Sequence, residues 1–386
     1  MSPHLQMRRI DCPLCGDAGH DDFLRSEDLE HGTGDDFRLV RCRRCGHVYL
    51  NPAPTAETLA LCYPDGYGPH RDDDFDRDRD ASRVGGGSFP SRDGPGDDGE
   101  PQREDVGCTF GGDHPDAQPW YLTRPVRSIP GLRRFYYWLV DTKSQALPPV
   151  EPAGRTALEL GCATGRFLET LRRRGWEVSG VDLVEAPVRQ ARTRGFDVHL
   201  GDLRSAAFAE ARFDDVFAWM VIEHLPDPAE TLAEIYRIQR PGGWLCFSIP
   251  NFASPERRIF GKHWKGYDLP RHLQHFTPGR IRRLLASSGY EQIRVIHQPD
   301  ALNWIGSLGS RLLGVVPGGQ GSSEISADAR PRRDGFRHHQ GERLRRWFFQ
   351  NPPLAVQLAL AFPAHLQAAL RLSGRLTIQA RKPAAR

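Results

Sequence analysis

The stretch Thr156-Ala-Leu-Glu-Leu-Gly-Cys-Ala-Thr-Gly165 decides the fold. Thr156 to Leu160 is a short apolar run suited to a buried strand, and Phe167 to Arg174 has helical spacing. Between them Gly161, Ala163 and Gly165 keep the turn small, so that a ligand can approach the backbone while the helix directs its first amides at it. A dinucleotide fingerprint requires a third glycine at position 166, where Arg166 stands.

Working outward, strand-like runs recur at Glu177 to Asp182, Asp197 to Leu200, Phe213 to Met220, Trp244 to Ile249 and Gln292 to His297. Helical stretches such as Ala229 to Arg240 separate them, and Pro241-Gly-Gly243 reads as the turn into the fifth strand. This alternation implies parallel strands joined by right-handed crossovers, a doubly wound, Rossmann-like α/β sheet. Ligands of such sheets sit at the carboxyl ends of the strands. There Asp182 can accept both hydroxyls of a ribose, and Asp202 can accept from an adenine amino group. Phe213 to Pro228 then carries a buried strand into the charged turn Glu223-His224.

The N-terminus holds Cys12-Pro-Leu-Cys15 and Cys42-Arg-Arg-Cys45, two knuckles each followed by a glycine. That spacing turns Cys12, Cys15, Cys42 and Cys45 toward one point, as in a zinc ribbon. With four thiolates the shell is closed, so the expected Zn2+ is structural. His20, His31 and His47 read as surface histidines rather than ligands. The whole chain carries 52 Lys and Arg against 49 Asp and Glu, a balance that offers no field for nonspecific nucleic-acid binding. No apolar run follows the N-terminal arginines, so a cytoplasmic, thiol-reducing setting is expected.

Taken in order, Glu159 to Gly165, Asp182, Asp202 and Glu223-His224 resemble the class I S-adenosylmethionine methyltransferases, especially the small-molecule type that includes quinone-biosynthesis enzymes. The resemblance implies S-adenosylmethionine as cofactor and a seven-stranded sheet in the order 3-2-1-4-5-7-6, its seventh strand antiparallel. It further implies that Glu159 meets the amino-acid end of the cofactor and that Gly161, Cys162, Ala163 and Gly165 cradle it. Asp182 with Leu183 takes the ribose, and Asp202 with Leu203 lies near adenine. Trp264-Lys-Gly-Tyr-Asp-Leu-Pro-Arg-His-Leu-Gln-His-Phe-Thr-Pro278 is similar to a signature of a bacterial subgroup that also carries an N-terminal cysteine ribbon. From this loop His272 is the expected base for a hydroxyl acceptor, followed by His275, with Glu223 and His224 as further candidates. Trp264 and Tyr267 are read as stacking surfaces of the acceptor pocket, and Thr277 as the cap of the next helix.

The expected organisation is a ribbon module over 1–67, a disordered acidic and Gly-Pro-rich insert over 68–119, the methyltransferase core over 120–300, a helical insertion over 301–373, and a final core strand and tail over 374–386. In the insertion Leu354 to Leu372 has helical periodicity, with a break expected at Pro363. The stretch is too polar and interrupted to span a bilayer. It reads as a lid or homodimer-packing helix pair, or as a peripheral membrane face beside an Arg-rich loop. The partner expected at the site is a small-molecule methyl acceptor. Two rival readings are a nicotinamide-dependent oxidoreductase, which Arg166 disfavours, and a noncatalytic zinc-ribbon scaffold, which the intact set of acids disfavours.

Overall fold

The computed structural model describes residues 5–29, 36–55, 57–63, 146–313 and 354–384. The insert of 68–119, residues 120–145 of the expected core and the Arg-rich loop therefore lie outside the described residues, as does His31. The N-terminal module contains β1 (Met7–Arg8), β2 (His20–Ser26), β3 (Phe37–Cys42), β4 (Val48–Leu50) and β5 (Ala53–Pro54). The core follows with β6 (Thr156–Leu160), α1 (Arg166–Arg173), β7 (Glu177–Asp182), α2 (Glu185–Thr193), β8 (Asp197–Leu200) and β9 (Phe213–Trp219). It continues through α3 (Pro228–Ile238), β10 (Gln239–Pro250), α4 (Pro255–Phe260), β11 (Gln274–His275), α5 (Pro278–Ser287) and β12 (Glu291–Gln298). The last elements are α6 (Ala301–Leu313), α7 (Leu354–Ala369) and β13 (Arg375–Arg381).

Seven strands form the central sheet in the order β12-β13-β10-β9-β6-β7-β8. The strands from β10 to β8 run parallel, and β13 is antiparallel to both of its neighbours. The parallel strands are buried on both faces, which is why β9 and β10 read as near-continuous apolar runs rather than alternating ones. Helix α1 shows the complementary pattern. Phe167, Leu168 and Leu171 face the sheet, while Arg172 and Arg173 face water beside Glu169. Helix α3 begins cleanly because Asp227 accepts the Glu230 amide at 2.8 Å and Pro228 needs no amide partner at the first turn.

The two ends of the sheet treat buried acids differently. At the amino-terminal edge, Asp215 is fully buried but accepts from Arg155 through two 2.8 Å bonds, from the Trp176 indole at 2.9 Å and from the Trp244 amide at 3.1 Å. It is a satisfied structural ion, as the rules for buried charge require. At the carboxyl edge Glu159 Oε2 and both carboxylate oxygens of Glu223 have no partner among the described residues, and that difference locates the site.

The ribbon is joined to the core by backbone pairing. Strand β11, from the His272 loop, pairs antiparallel with β4, giving a four-stranded sheet in the order β11-β4-β3-β2. Around this joint Leu39, Leu50, Trp264, Tyr267, Leu269 and Leu273 form one buried cluster. Arg271 crosses it, fully buried, holding Asp28 of the ribbon and Asp268 of its own loop.

Four details differ from the sequence reading. Strand β10 begins at Gln239, so Pro241 to Gly243 form an irregularity within it instead of a preceding turn. Helix α7 runs through Pro363 without a break, packed along α6 with Ala361 and Ala364 buried. Thr277 occupies the cap position of α5, yet its side chain makes no capping bond. His47 is fully buried, its Nε2 2.9 Å from Gln274 Oε1, because β4 and β11 close over it.

Candidate active site

The loop after β6 takes the conformation that its small residues permit. Gly161 and Gly165 have φ of 66° and 80°, and Ala163 has φ of 45°. A side chain at Gly161 would strike Val221 at 2.5 Å, and one at Gly165 would strike Phe196 at 2.8 Å. The loop is thus pressed against both the next helix and the turn after β9. Cys162 is the exception among the predicted cradle residues. Its side chain turns into the core against Gly180, Leu168 and Val188, leaving only backbone for a ligand.

Asp182 closes the loop from the end of β7. Its carboxylate accepts from the Ala163 and Val184 amides, each at 2.9 Å, which leaves acceptor positions open on both oxygens. Leu183 beside it is 46% exposed and available to a ligand, whereas Leu203 is buried in the core and offers no side chain. Asp202 caps its own turn through the Ser205 amide at 2.7 Å.

Glu159 is the first orphaned acid. It is 4% exposed, Oε2 has no partner, and burial beside Asp182 pushes its carboxyl well above the ordinary range. The Leu168 backbone serves part of the carboxylate, and a cationic ligand at this edge would satisfy the remaining oxygen. An ammonium-bearing nucleoside ligand fits that orphan, the Gly161 and Gly165 cradle and the Asp182 carboxylate together.

The second orphaned acid lies one strand over. Met220, at φ 55°, kinks the chain out of β9, and Val221 then rests on Gly161, placing Glu223 and His224 beside the cofactor loop. Glu223 is 1% exposed with neither carboxylate oxygen hydrogen-bonded, and burial raises its pKa to about 8. His272 comes down from the ribbon-side loop to meet it. The His224 and His272 rings lie edge to face at 4.7 Å, and His272 Nε2 stands 3.9 Å from Glu223 and 3.7 Å from Asp268. The other ring nitrogen, Nδ1, is 2.9 Å from the Gly266 carbonyl and must donate to it. Burial lowers the pKa of both His224 and His272, so His272 is neutral with a bare Nε2.

His275 is not part of this group. It lies on β11 between Phe252 and Tyr267, buried, with its pKa pushed far down. Trp264 and Tyr267 are likewise buried in the cluster at the ribbon joint, where they line a cavity together with Asp28, Lys262 and Asp268. The residue that sequence reasoning missed is Tyr63, whose hydroxyl is 2.8 Å from His224 Nδ1. It falls at the end of the ribbon segment, 161 positions away, and no local pattern marks it.

In the ribbon, Cys12 Sγ lies 3.5 Å from Cys45 Sγ, and Cys15 Sγ lies 3.6 Å from Cys42 Sγ. Thiolates around zinc at about 2.3 Å stand roughly 3.8 Å apart, so the four fit one tetrahedral ion. None of the four is in a disulfide.

A methyltransferase-domain family model matches residues 132–295. The chain is 30% identical over 181 residues to a ubiquinone biosynthesis O-methyltransferase of Thiobacillus denitrificans, covering 44% of this chain and 74% of that one. It belongs to the S-adenosylmethionine-dependent methyltransferase family. The methyltransferase is also 33% identical over 161 residues to the malonyl-[acyl-carrier protein] O-methyltransferase of Serratia marcescens. That match covers 40% of this chain and 62% of the relative, so the chain spans under two thirds of that protein's length. Among solved structures, an S-adenosylmethionine dependent methyltransferase from Mesorhizobium loti aligns with a TM-score of 0.39 at 18% identity, over 61% of this chain and 93% of its own.

Proposed function

We propose that this methyltransferase moves a methyl group from S-adenosylmethionine to a hydroxyl of a small molecule, of saccharide, phenolic or lipid-linked type. The observation that carries the reading is the contact of Val221 with Gly161, which sets the Glu223, His224 and His272 group against the cofactor loop. The curated relatives support oxygen as the acceptor atom, since both are named O-methyltransferases.

The bound cofactor supplies an activated methyl on a sulfonium. The chain must align the acceptor with it and handle the hydroxyl proton. Glu159 would hold the cofactor's ammonium end, Gly161 to Gly165 would offer it backbone amides, and Asp182 would accept from the ribose hydroxyls, with Leu183 and Asp202 toward the adenine. His272 serves as base through its bare Nε2, with Nδ1 fixed by the Gly266 carbonyl so that the ring cannot turn away. Tyr63 fixes His224 in the same manner. The Cys12, Cys15, Cys42 and Cys45 shell would hold a structural Zn2+, which keeps β3 and β4 in register for β11 and hence holds the His272 loop in place.

The test is incubation of cell lysate with the protein and methyl-labelled cofactor, followed by mass spectrometry. The expected result is a labelled small molecule formed by wild type and lost in His272→Ala, while cofactor binding is kept. Unchanged turnover in His272→Ala would reject it as base, and absence of any labelled product would reject the methyl-transfer reading.

A further inference from the structure

A buried row of charges runs from the ribbon to His272. Asp28, two residues past β2, is buried and accepts from Arg271 Nη1 at 3.1 Å and Nη2 at 2.8 Å. Arg271 turns Nε and Nη2 to Oδ1 of Asp268 at 2.8 and 2.6 Å, and Nη1 also reaches the Cys62 carbonyl at 3.3 Å, one residue before Tyr63. Rotating the Asp268 carboxylate would therefore break two charge-assisted bonds. Held in this way, Asp268 aims Oδ2 at Nε2 of His272, 3.7 Å away. The backbone reinforces the aim. Asp268 sits at φ 33°, a conformation that costs energy for a residue with a side chain. Its carbonyl accepts the His272 amide at 2.9 Å, which folds the ring back toward the carboxylate.

We propose that Asp268 is a positioning residue for methyl transfer: held through Arg271 to Asp28 of the ribbon, its carboxylate faces His272 Nε2 and stabilises the imidazolium formed when that nitrogen takes the acceptor's hydroxyl proton. The inference rests on the methyl-transfer reading and says how a buried histidine can serve it. The hydroxyl proton passes to Nε2, the oxygen pair it leaves forms the C–O bond to the methyl carbon, and the C–S pair goes to sulfur as the thioether. Nδ1 keeps its own proton on the Gly266 carbonyl, so the ring becomes a cation inside the protein. A buried cation needs an opposite charge close by. Around the ring stand Glu223 and His224 from the turn after β9, His275 on β11, and Lys265, Asp268 and Arg271 of its own loop. Burial opposes a proton on the ring most, and Asp268 is the strongest influence in its favour. The Gly266 carbonyl adds to Asp268, while Arg271 and Lys265 oppose it. Glu223 is the rival counter-charge at 3.9 Å, but with its pKa raised to about 8 it is itself protonated at neutral pH.

The full chain, with zinc in its cysteine shell and isotope-labelled histidine rings, is titrated by nuclear magnetic resonance, His272 being assigned by the signal missing in His272→Ala. Asp268→Asn keeps an oxygen for Arg271, and asparagine tolerates positive φ, so the variant should match wild type in S-adenosylmethionine binding and zinc content. It should lower the His272 pKa by about one to three units, roughly a 10- to 1,000-fold loss of proton affinity, as when an opposite charge at close range is removed. Glu223→Gln should shift it less. In the labelling assay the acid limb of the rate should move to lower pH in Asp268→Asn. Its plateau should fall by less than the roughly 100- to 10,000-fold that loss of the base causes. An unchanged His272 pKa in Asp268→Asn overturns the proposal, and so does a lower plateau with the limb unmoved, the mark of a merely structural role. A fall of about one unit or more in Glu223→Gln overturns it by a second route, since Glu223 would then be the counter-charge. No labelled product from wild type, with the ring still shifted by Asp268→Asn, rejects the methyl-transfer reading and leaves the pairing of Asp268 with His272 standing.

Discussion

Gly161 shows how much one position can decide. Its φ of 66° and the 2.5 Å approach of Val221 to where a side chain would begin tie the cofactor loop to the acceptor turn. Gly161→Ala should cost about 1–3 kcal/mol in stability through overpacking and left-handed strain. It should also weaken S-adenosylmethionine binding, as thermal unfolding and calorimetry would show. Glu256 makes a second residue-level prediction, away from the cofactor loop. Buried near Asp300 and hydrogen-bonded by Asn303, it has its pKa pushed up to about 8 by burial. The folded protein therefore holds that proton more tightly than the unfolded chain. Its contribution is present in full below the ordinary carboxyl range and is lost as pH rises through about 8. Glu256→Gln, which keeps an acceptor for Asn303, should flatten the loss of thermal stability between about pH 5 and 8, the span from the ordinary carboxyl pKa to the raised one. An unchanged slope would reject the assignment. The orphaned state of Glu159 and Glu223 was not legible in sequence, because whether an acid finds a partner depends on residues far away in the chain. Tyr63 is a case of the same kind.

At the level of elements, the alternation of strands and helices was readable because apolar runs and helical spacing are local signals. Strands β6 to β9 begin where the pattern places them. What local patterns could not give was the pairing of β11 with β4, since two residues of strand carry no periodicity. That joint buries His275, Trp264 and Tyr267. It also joins the cysteine ribbon to the loop that carries His272. Cys42→Ser should lower zinc content and raise amide exchange in Leu273 to Phe276, reducing methyl transfer more than cofactor binding. Protection unchanged at those amides would contradict the coupling. The helix α7 carries an exposed apolar row, with Leu358, Phe362, Leu366 and Leu370 at 40 to 73% exposure. Among the described residues no helix is long and apolar enough to cross a membrane. Phe362→Asp should leave folding stability within about 0.5 kcal/mol, as at other surface positions. If this row lies on a bilayer, the same change should reduce cosedimentation with anionic vesicles, and if it covers a second copy, sedimentation velocity should report a smaller species.

Over the described residues, a buried acid with a full set of donors marks the amino-terminal edge of the sheet, and two buried acids with open carboxylate oxygens mark the carboxyl edge. Asp215 belongs to the first kind, Glu159 and Glu223 to the second. S-adenosylmethionine is expected to complete the Glu159 and Asp182 half of that edge. Ligand at about 100 times its Kd should then stabilise the fold by roughly 2.7 kcal/mol. The most direct measurement is calorimetric titration of the full chain with S-adenosylmethionine and, separately, with NAD. One S-adenosylmethionine bound per chain, lost or greatly weakened in Glu159→Gln and Asp182→Ala, is the predicted result. Binding of NAD without S-adenosylmethionine, or of neither, would contradict the account.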